Sequence, residues 1–198
     1  NQEQQEAVSH AFNFRLSIIT GGPGVGKTTT VKEIVAQARR ANKKIKLAAP
    51  TGRAAQRLGE AGSMRATTIH RLLLTDSENE GEFVYGEDKK LNCDMLVVDE
   101  VSMLDVSLAA KLFSAIEHHS TQVILVGDPD QLPSVGPGLV LNDMLASETL
   151  PITRLVQIFR QAAASRIITN AHRINAGQDP ELRNPPEGQL SDFYFIRQ

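Results

Sequence analysis

The chain has 198 residues, 41% of them hydrophobic and 22% charged, a balance that suits one α/β domain, or one domain with an excursion, able to bury a core. Its net charge of −2 excludes a globally basic coat for nucleic acid, so any such surface has to be local, and no apolar run approaches the ~18 residues of a membrane-spanning helix. The single cysteine, Cys93, excludes an internal disulfide and suits a reducing cytoplasm.

Taken in order, Gln2 to Phe12 reads as a helix with Ala7, Val8, Ala11 and Phe12 on one face and Asn1 as its cap. Leu16 to Ile19 reads as a buried strand, and a second amphipathic helix opens at Lys27 and ends near Asn42. Ile45 to Ala49 is the next strand, followed by a helix with Ala54, Ala55 and Leu58 facing inward. Thr67 to Leu74 reads as a short helix entered through a threonine. From Thr75 to Asn92 the pattern breaks into an acidic, polar excursion with one β-like island, Phe83 to Tyr85. Order resumes with the strand Met95 to Val98, a helix capped by Asp105, and the strand Gln122 to Val126. A proline- and glycine-rich loop leads to a helix around Leu139 to Leu145 and a strand candidate at Ile152 to Leu155. The spacing then predicts a helix over Ser165 to Asn175, carrying Ile167, Ile168, Ala171 and Ile174. Residues 178–198 read as a linker and the start of a following domain, with a strand candidate at Asp192 to Ile196. A first residue other than Met marks the sequence as a piece of a longer protein.

Short apolar strands alternating with amphipathic helices predict a parallel β-sheet covered by helices on both faces. Functional residues then gather at the carboxyl ends of the strands. Gly21, Pro50, Asp99 and Gly127 each stand there.

The chemistry starts at Gly21-Gly-Pro-Gly-Val-Gly-Lys-Thr28, a phosphate loop with a strand before it and a helix after it. Gly22, Pro23, Gly24, Val25 and Gly26 bring backbone N–H groups against a phosphate, at the positive end of the new helix. Lys27 reaches the β- and γ-phosphates, the Thr28 hydroxyl ligates Mg²⁺, and Thr29 continues the cradle. The ligand class is therefore a nucleoside triphosphate with Mg²⁺. Asp99 and Glu100 follow the apolar strand Met95 to Val98. An acidic pair there is in isolation often a solvated strand end. Downstream of a phosphate loop it serves better as a metal ligand, Asp99 beside Thr28, and as a water-polarising carboxylate, Glu100. Gln131, in Gly127-Asp-Pro-Asp-Gln-Leu-Pro133, sits beside the nucleotide edge; its spacing suits a γ-phosphate or water contact and equally an exposed turn. A kinase lid rich in arginine and a guanine-reading Asn-Lys-x-Asp motif are both missing.

The ordered set Gly21–Thr28, Ala49–Ala55, Thr68-Ile-His-Arg71, Val98-Asp-Glu-Val-Ser-Met103, Gly127–Pro133 and Gln157-Ile-Phe-Arg-Gln161 resembles the first RecA-like motor domain of a RecD-like superfamily 1B DNA helicase, the exodeoxyribonuclease V alpha-subunit family. The resemblance covers residues 1–177 and implies a RecA-like P-loop fold, ATP as the nucleotide and 5′→3′ movement on single-stranded DNA. It implies that Gln4 reads adenine and that Arg160 approaches the γ-phosphate. Pro50, Thr51, Arg53, Thr68 and His70 then track DNA, although His70 suits equally a helix cap. It further implies a second RecA-like domain of the same parent chain and, in some relatives, partner subunits of a nuclease complex. The excursion at 75–92 falls where relatives carry a strand-separating hairpin; a variable surface loop fits it equally.

Overall fold

The computed structural model of the chain describes residues 1–74, 83–186 and 188–196, with all their side chains except those of residues 160 and 161. Its centre is a six-stranded sheet, every pairing parallel, in the order β3-β2-β4-β5-β1-β6. The strands are β1 (Leu16–Thr20), β2 (Ile45–Ala49), β3 (Ala66–Thr68), β4 (Met95–Val98), β5 (Gln122–Gly127) and β6 (Ile152–Arg154). The helices among the described residues are α1 (Gln2–Asn13), α2 (Lys27–Arg40), α3 (Gly52–Gly62), α4 (Ile69–Leu73), α5 (Val106–Ser114), α6 (Val140–Ala146), α7 (Arg160–Ala163) and α8 (Arg166–Asn175), with a 3-10 turn at Val101–Met103.

The side-chain alternation of the central strands builds two cores. Ile18, Leu96, Val98, Val123 and Leu125 point to one face, where Ile69 and Leu73 of α4, Leu108 and Leu112 of α5 and Leu141 of α6 cover them. Ile19, Met95, Val97, Ile124 and Val126 point to the other, under Ala7 and Ala11 of α1, Val31, Ile34 and Val35 of α2, and Leu58 of α3. Each fully buried Ile or Leu contributes about 1.5–3 kcal/mol by leaving water. Strands buried on both faces read as continuous apolar runs for this reason.

Capping follows the sequence closely. The Asn1 side chain accepts from Gln4 N, completing a capping box with Gln4; Asp105 and Ser165 cap α5 and α8. Two expectations change. The stretch expected to be helical from Thr67 begins as strand β3, pairing Ala66–Thr68 with Leu47–Ala49, and Thr68 caps a helix that starts only at Ile69. Two adjacent threonines favour the extended backbone, and the neighbouring β2 supplies the ladder. Residues Asp192 to Ile196 form no strand. Instead the tail docks on α8. Asn170 is 5% exposed and exchanges two hydrogen bonds with the Glu181 main chain, at 3.1 and 2.8 Å. Asp192 accepts from Ser165 Oγ and from Arg166 N, and those bonds hold its carboxyl below the usual carboxylate range. On α8, Ile168 and Ala171 are half-buried while Ile167 and Ile174 are exposed, because the inward side is shared with Asn170 and with contacts to the phosphate loop.

Residues 75–82 of the polar excursion lie outside the described residues, Asp76, Glu78, Glu80 and Glu82 among them. Its described part returns to the body. Val84 N donates to Leu74 O at 2.8 Å and Tyr85 N to Leu73 O at 3.0 Å. Phe83 and Tyr85 pack partly buried against the core under α5, so neither ring is held out as a free wedge. No helix among the described residues is long and apolar enough to cross a membrane.

Candidate functional site

Parallel strands deliver the motifs to one edge. The main chain leaves β1 at Thr20 and enters α2 at Lys27 through a turn in which Gly24 (φ 77°) and Gly26 (φ 92°) hold left-handed backbone. A side chain at either position would be strained. Space is short as well: a Cβ on Gly24 would lie 2.5 Å from Ala162 Cβ, and one on Gly26 2.4 Å from the Phe159 ring.

Lys27, Thr28, Asp99 and Glu100 line one recess of about 160 Å³, together with Arg57 of α3. The parallel register of β4 and β5 and the β2–β4 pairing bring the ends of these strands to the same edge as the loop. The Lys27 ammonium binds the carbonyls of Gly21 and Gly22, the latter at 3.0 Å. Burial lifts the Asp99 carboxyl from 3.8 to about 6, against the hydrogen bond from Glu100 N, while the Glu100 charge adds to the rise and Lys27 opposes it. A half-buried carboxylate beside a threonine hydroxyl is the kind of donor set Mg²⁺ uses when phosphates complete its shell. Among the described residues no cluster of three or more His, Cys, Asp and Glu side chains could hold a metal ion. Glu100 itself has φ 55°, an uncommon conformation for a non-glycine residue that turns the chain sharply after Asp99.

A wider recess of about 870 Å³ runs from Gly22, Pro23 and Gly24 over Lys27, Thr28 and Thr29 to Gln157, Ile158, Phe159 and Ala162. Gln4 borders it: its Nε2 donates to Gly26 O at 3.5 Å, and Asn1 Nδ2 donates to Gln157 Oε1 at 2.8 Å. Gln4 and Thr29 thus lie beside the loop, and the Val25 side chain is buried in the core at 1% exposure. Sequence reasoning missed Phe159. Its ring edge meets Gly26, and at 39% exposure it offers a flat apolar surface beside the loop, the kind of platform a base stacks on.

Gln131 stands apart from the recess of Lys27 and Asp99. It is exposed, with Nε2 3.4 Å from Asp128 Oδ2 and its N–H on Asp128 O. Asp128 is buried at 2% exposure and organises this loop by also accepting from Asp130 N. Arg160 opens α7; its side chain lies outside the described residues.

The expected DNA-contact residues share a neighbouring part of the edge. Because Ala49 pairs with Thr68, Pro50 and Thr51 emerge beside Thr68. Both hydroxyls are engaged locally: Thr51 caps α3 through Ala54 N at 3.3 Å, and Thr68 caps α4 through Arg71 N at 3.2 Å. Arg53 and His70 are exposed, and the His70 ring lies tilted 5.8 Å from that of Phe83; Thr68, not His70, caps the helix.

The sequence matches the family model for the AAA domain over residues 4–137. It is 39% identical over 180 residues to the ATP-dependent RecD2 DNA helicase of Deinococcus radiodurans, covering 91% of this chain and 24% of that protein. It is 41% identical over 167 residues to the RecBCD enzyme subunit RecD of Mycolicibacterium smegmatis, covering 73% of this chain and 30% of that one. The chain therefore spans about a quarter to a third of the length of these relatives. Among solved structures the fold is similar to that of Bacteroides Pif1 bound to single-stranded DNA (TM-score 0.61, 23% identity, 90% of this chain and 46% of that). The Pif1 helicase of Candida albicans is similar too (TM-score 0.63, 22% identity, 96% of this chain and 50% of that). With a parallel P-loop sheet, a paired Asp99–Glu100 at its edge and this kinship along most of its length, the chain belongs to the AAA domain family and is a RecD-like, RecA-type P-loop domain.

Proposed function

We propose that this chain is the first motor domain of an ATP-dependent DNA helicase that moves along single-stranded DNA, 5′→3′ as the resemblance to RecD-like helicases implies. The observation that carries this reading is the convergence of Lys27, Thr28, Asp99 and Glu100 on one recess at the edge of the sheet, next to the strand ends that carry Thr51 and Thr68.

Each residue has a task in that reading. Backbone N–H groups of the loop take the phosphates, and the amino end of α2 adds its dipole. Lys27 exchanges the carbonyls of Gly21 and Gly22 for the β- and γ-phosphate oxygens. Thr28 and Asp99 would hold Mg²⁺, which would supply charge neutralisation at the phosphates. Glu100 accepts a hydrogen bond from the attacking water and orients it. Adenine stacks on Phe159 with its edge toward Gln4. Gln131 leaves Asp128 to meet the γ-phosphate, and Arg160 approaches the same charge. Arg53 and the backbone amides near Pro50, Thr51 and Thr68 take DNA phosphates without reading sequence. His70 adds a face on which a base can stack. A second RecA-like domain, in the part of the parent protein outside this chain, closes the nucleotide cleft, and nuclease subunits are candidate partners. Residues 178–198 lead toward that second domain.

The test is the ATPase rate of the longer parent protein with and without oligo-dT. Strong stimulation by the oligonucleotide is expected, lost in Lys27→Ala and Gln131→Ala, with little activity in the 198-residue chain alone. A parent protein indifferent to DNA would overturn the motor reading.

A further inference from the structure

A phosphate loop works only if its N–H groups point inward, and a peptide plane has two ends. Every peptide bond in the described chain is trans, so each carbonyl points away from the N–H of the residue that follows it. A hydrogen bond that holds a loop carbonyl from outside therefore aims the next N–H into the loop. Three loop carbonyls are held in this way, and one of them, Gly26 O, also accepts from Thr30 N and Thr30 Oγ1 of α2 at 3.0 and 3.1 Å. His172 Nε2 lies 2.9 Å from Pro23 O, Phe159 N donates to Gly24 O at 3.2 Å, and Gln4 Nε2 donates to Gly26 O at 3.5 Å. They aim the N–H groups of Gly24, Val25 and Lys27 respectively.

The bond from His172 is the shortest of the three. Pro23 O can only accept, so Nε2 carries the hydrogen. The ring also backs the preceding residue: a Cβ on Gly22 would lie 2.7 Å from His172 Cε1. One turn along α8, Asn175 Nδ2 donates to Asp130 Oδ2 at 3.1 Å, in the loop that carries Gln131. On its other side the helix is fixed by the tail through Asn170 and Glu181. One face of one helix thus holds both loops of the nucleotide site.

We propose that His172 is a positioning residue for nucleotide binding: it fixes the Pro23–Gly24 peptide plane so that Gly24 N–H meets the phosphates. The inference rests on the reading of this loop as an ATP site. His172 touches no nucleotide itself. Its contribution is to remove, before binding, the freedom the loop would otherwise lose on binding.

The experiment is titration of the full chain with a fluorescent ATP analogue and Mg²⁺, in wild type, His172→Phe, His172→Gln and Lys27→Ala, with nucleotide-free melting curves for each. His172→Phe keeps the ring bulk and loses the donor; affinity is expected to fall about three- to ten-fold, the usual worth of one neutral hydrogen bond. His172→Gln restores a donor at similar reach and is expected to bind within about two-fold of wild type. That rescue separates positioning from mere packing. Should His172→Phe fail to fold, His172→Leu takes its place as the variant that lacks the donor. Equal affinity in His172→Phe and wild type would overturn the inference, as would a well-folded His172→Gln that binds as poorly as His172→Phe, while leaving the ATP site standing. A wild-type chain that binds no more nucleotide than Lys27→Ala would overturn the ATP-site reading and this inference with it.

Discussion

Replacing Asp99 with Asn is expected to stabilise the nucleotide-free chain while removing the carboxylate proposed to hold Mg²⁺. The carboxyl is lifted from 3.8 to about 6, burial being the largest cause. Below pH 3.8 neither the folded nor the unfolded chain carries the charge, and the residue is neutral for stability. Between those values the unfolded chain ionises first and gains on the folded one. Above pH 6 both are charged and the folded chain bears the full cost, up to roughly 3 kcal/mol at about 1.4 kcal/mol per pH unit. Water entering the recess offsets part of this, leaving about 1–2 kcal/mol for Asn to recover. Asn keeps an oxygen for Glu100 N, which Asp99 Oδ1 now accepts at 2.9 Å. For a chain of this length the gain raises the melting temperature by about 3–6 °C at pH 7.5 in EDTA. The assay is thermal melting between pH 4 and 8, and the advantage of the variant should shrink steadily as pH falls toward 4. With Mg²⁺ and ATP present the order should reverse. A variant that melts below wild type at pH 7.5 without metal, or whose advantage ignores pH, would refute the reasoning.

Two further outcomes test the structure elsewhere. Asn170→Ala removes both bonds to Glu181 from a side chain only 5% exposed, so urea denaturation should show a loss of about 2 kcal/mol; an unchanged midpoint would mean that the tail does not dock. Cys93 is 7% exposed and burial pushes its thiol up to about 11. It should ignore a disulfide reagent at pH 8 and react fully in denaturant, and rapid labelling of the folded chain would contradict its place in the core.

The sequence made the nucleotide edge legible because its signals are local. A phosphate loop needs its glycines, lysine and threonine consecutively, and an acidic pair after an apolar strand declares itself. Strand β3 was harder: three residues, Ala66–Thr68, offer no alternation to count, and only the neighbouring β2 makes them a strand. The roles of Phe159, His172 and Asn175 were invisible for a different reason. Each acts on a loop far away in the chain, and an aromatic, a histidine and an asparagine near helical segments look like surface or core residues until the fold brings them together. On α8 apolarity does not by itself mark the inner face, since the polar Asn170 is buried while Ile167 and Ile174 are exposed.

The place of β1 in the sheet sets a timetable for making the protein. Its two neighbours are β5, with Leu16 opposite Val123, and β6, with Ile18 opposite Ile152. Neither exists until more than a hundred further residues have been synthesised, on the order of ten seconds at ribosomal rates. The pairing of β2 with β3 closes far sooner, because those strands are near in sequence. A nascent chain therefore carries Ile18 and Ile19 uncovered, and a phosphate loop with no sheet beneath it, until its second half emerges. ATP cannot template the early stages of folding; the nucleotide site is among the last parts of this domain to come into being.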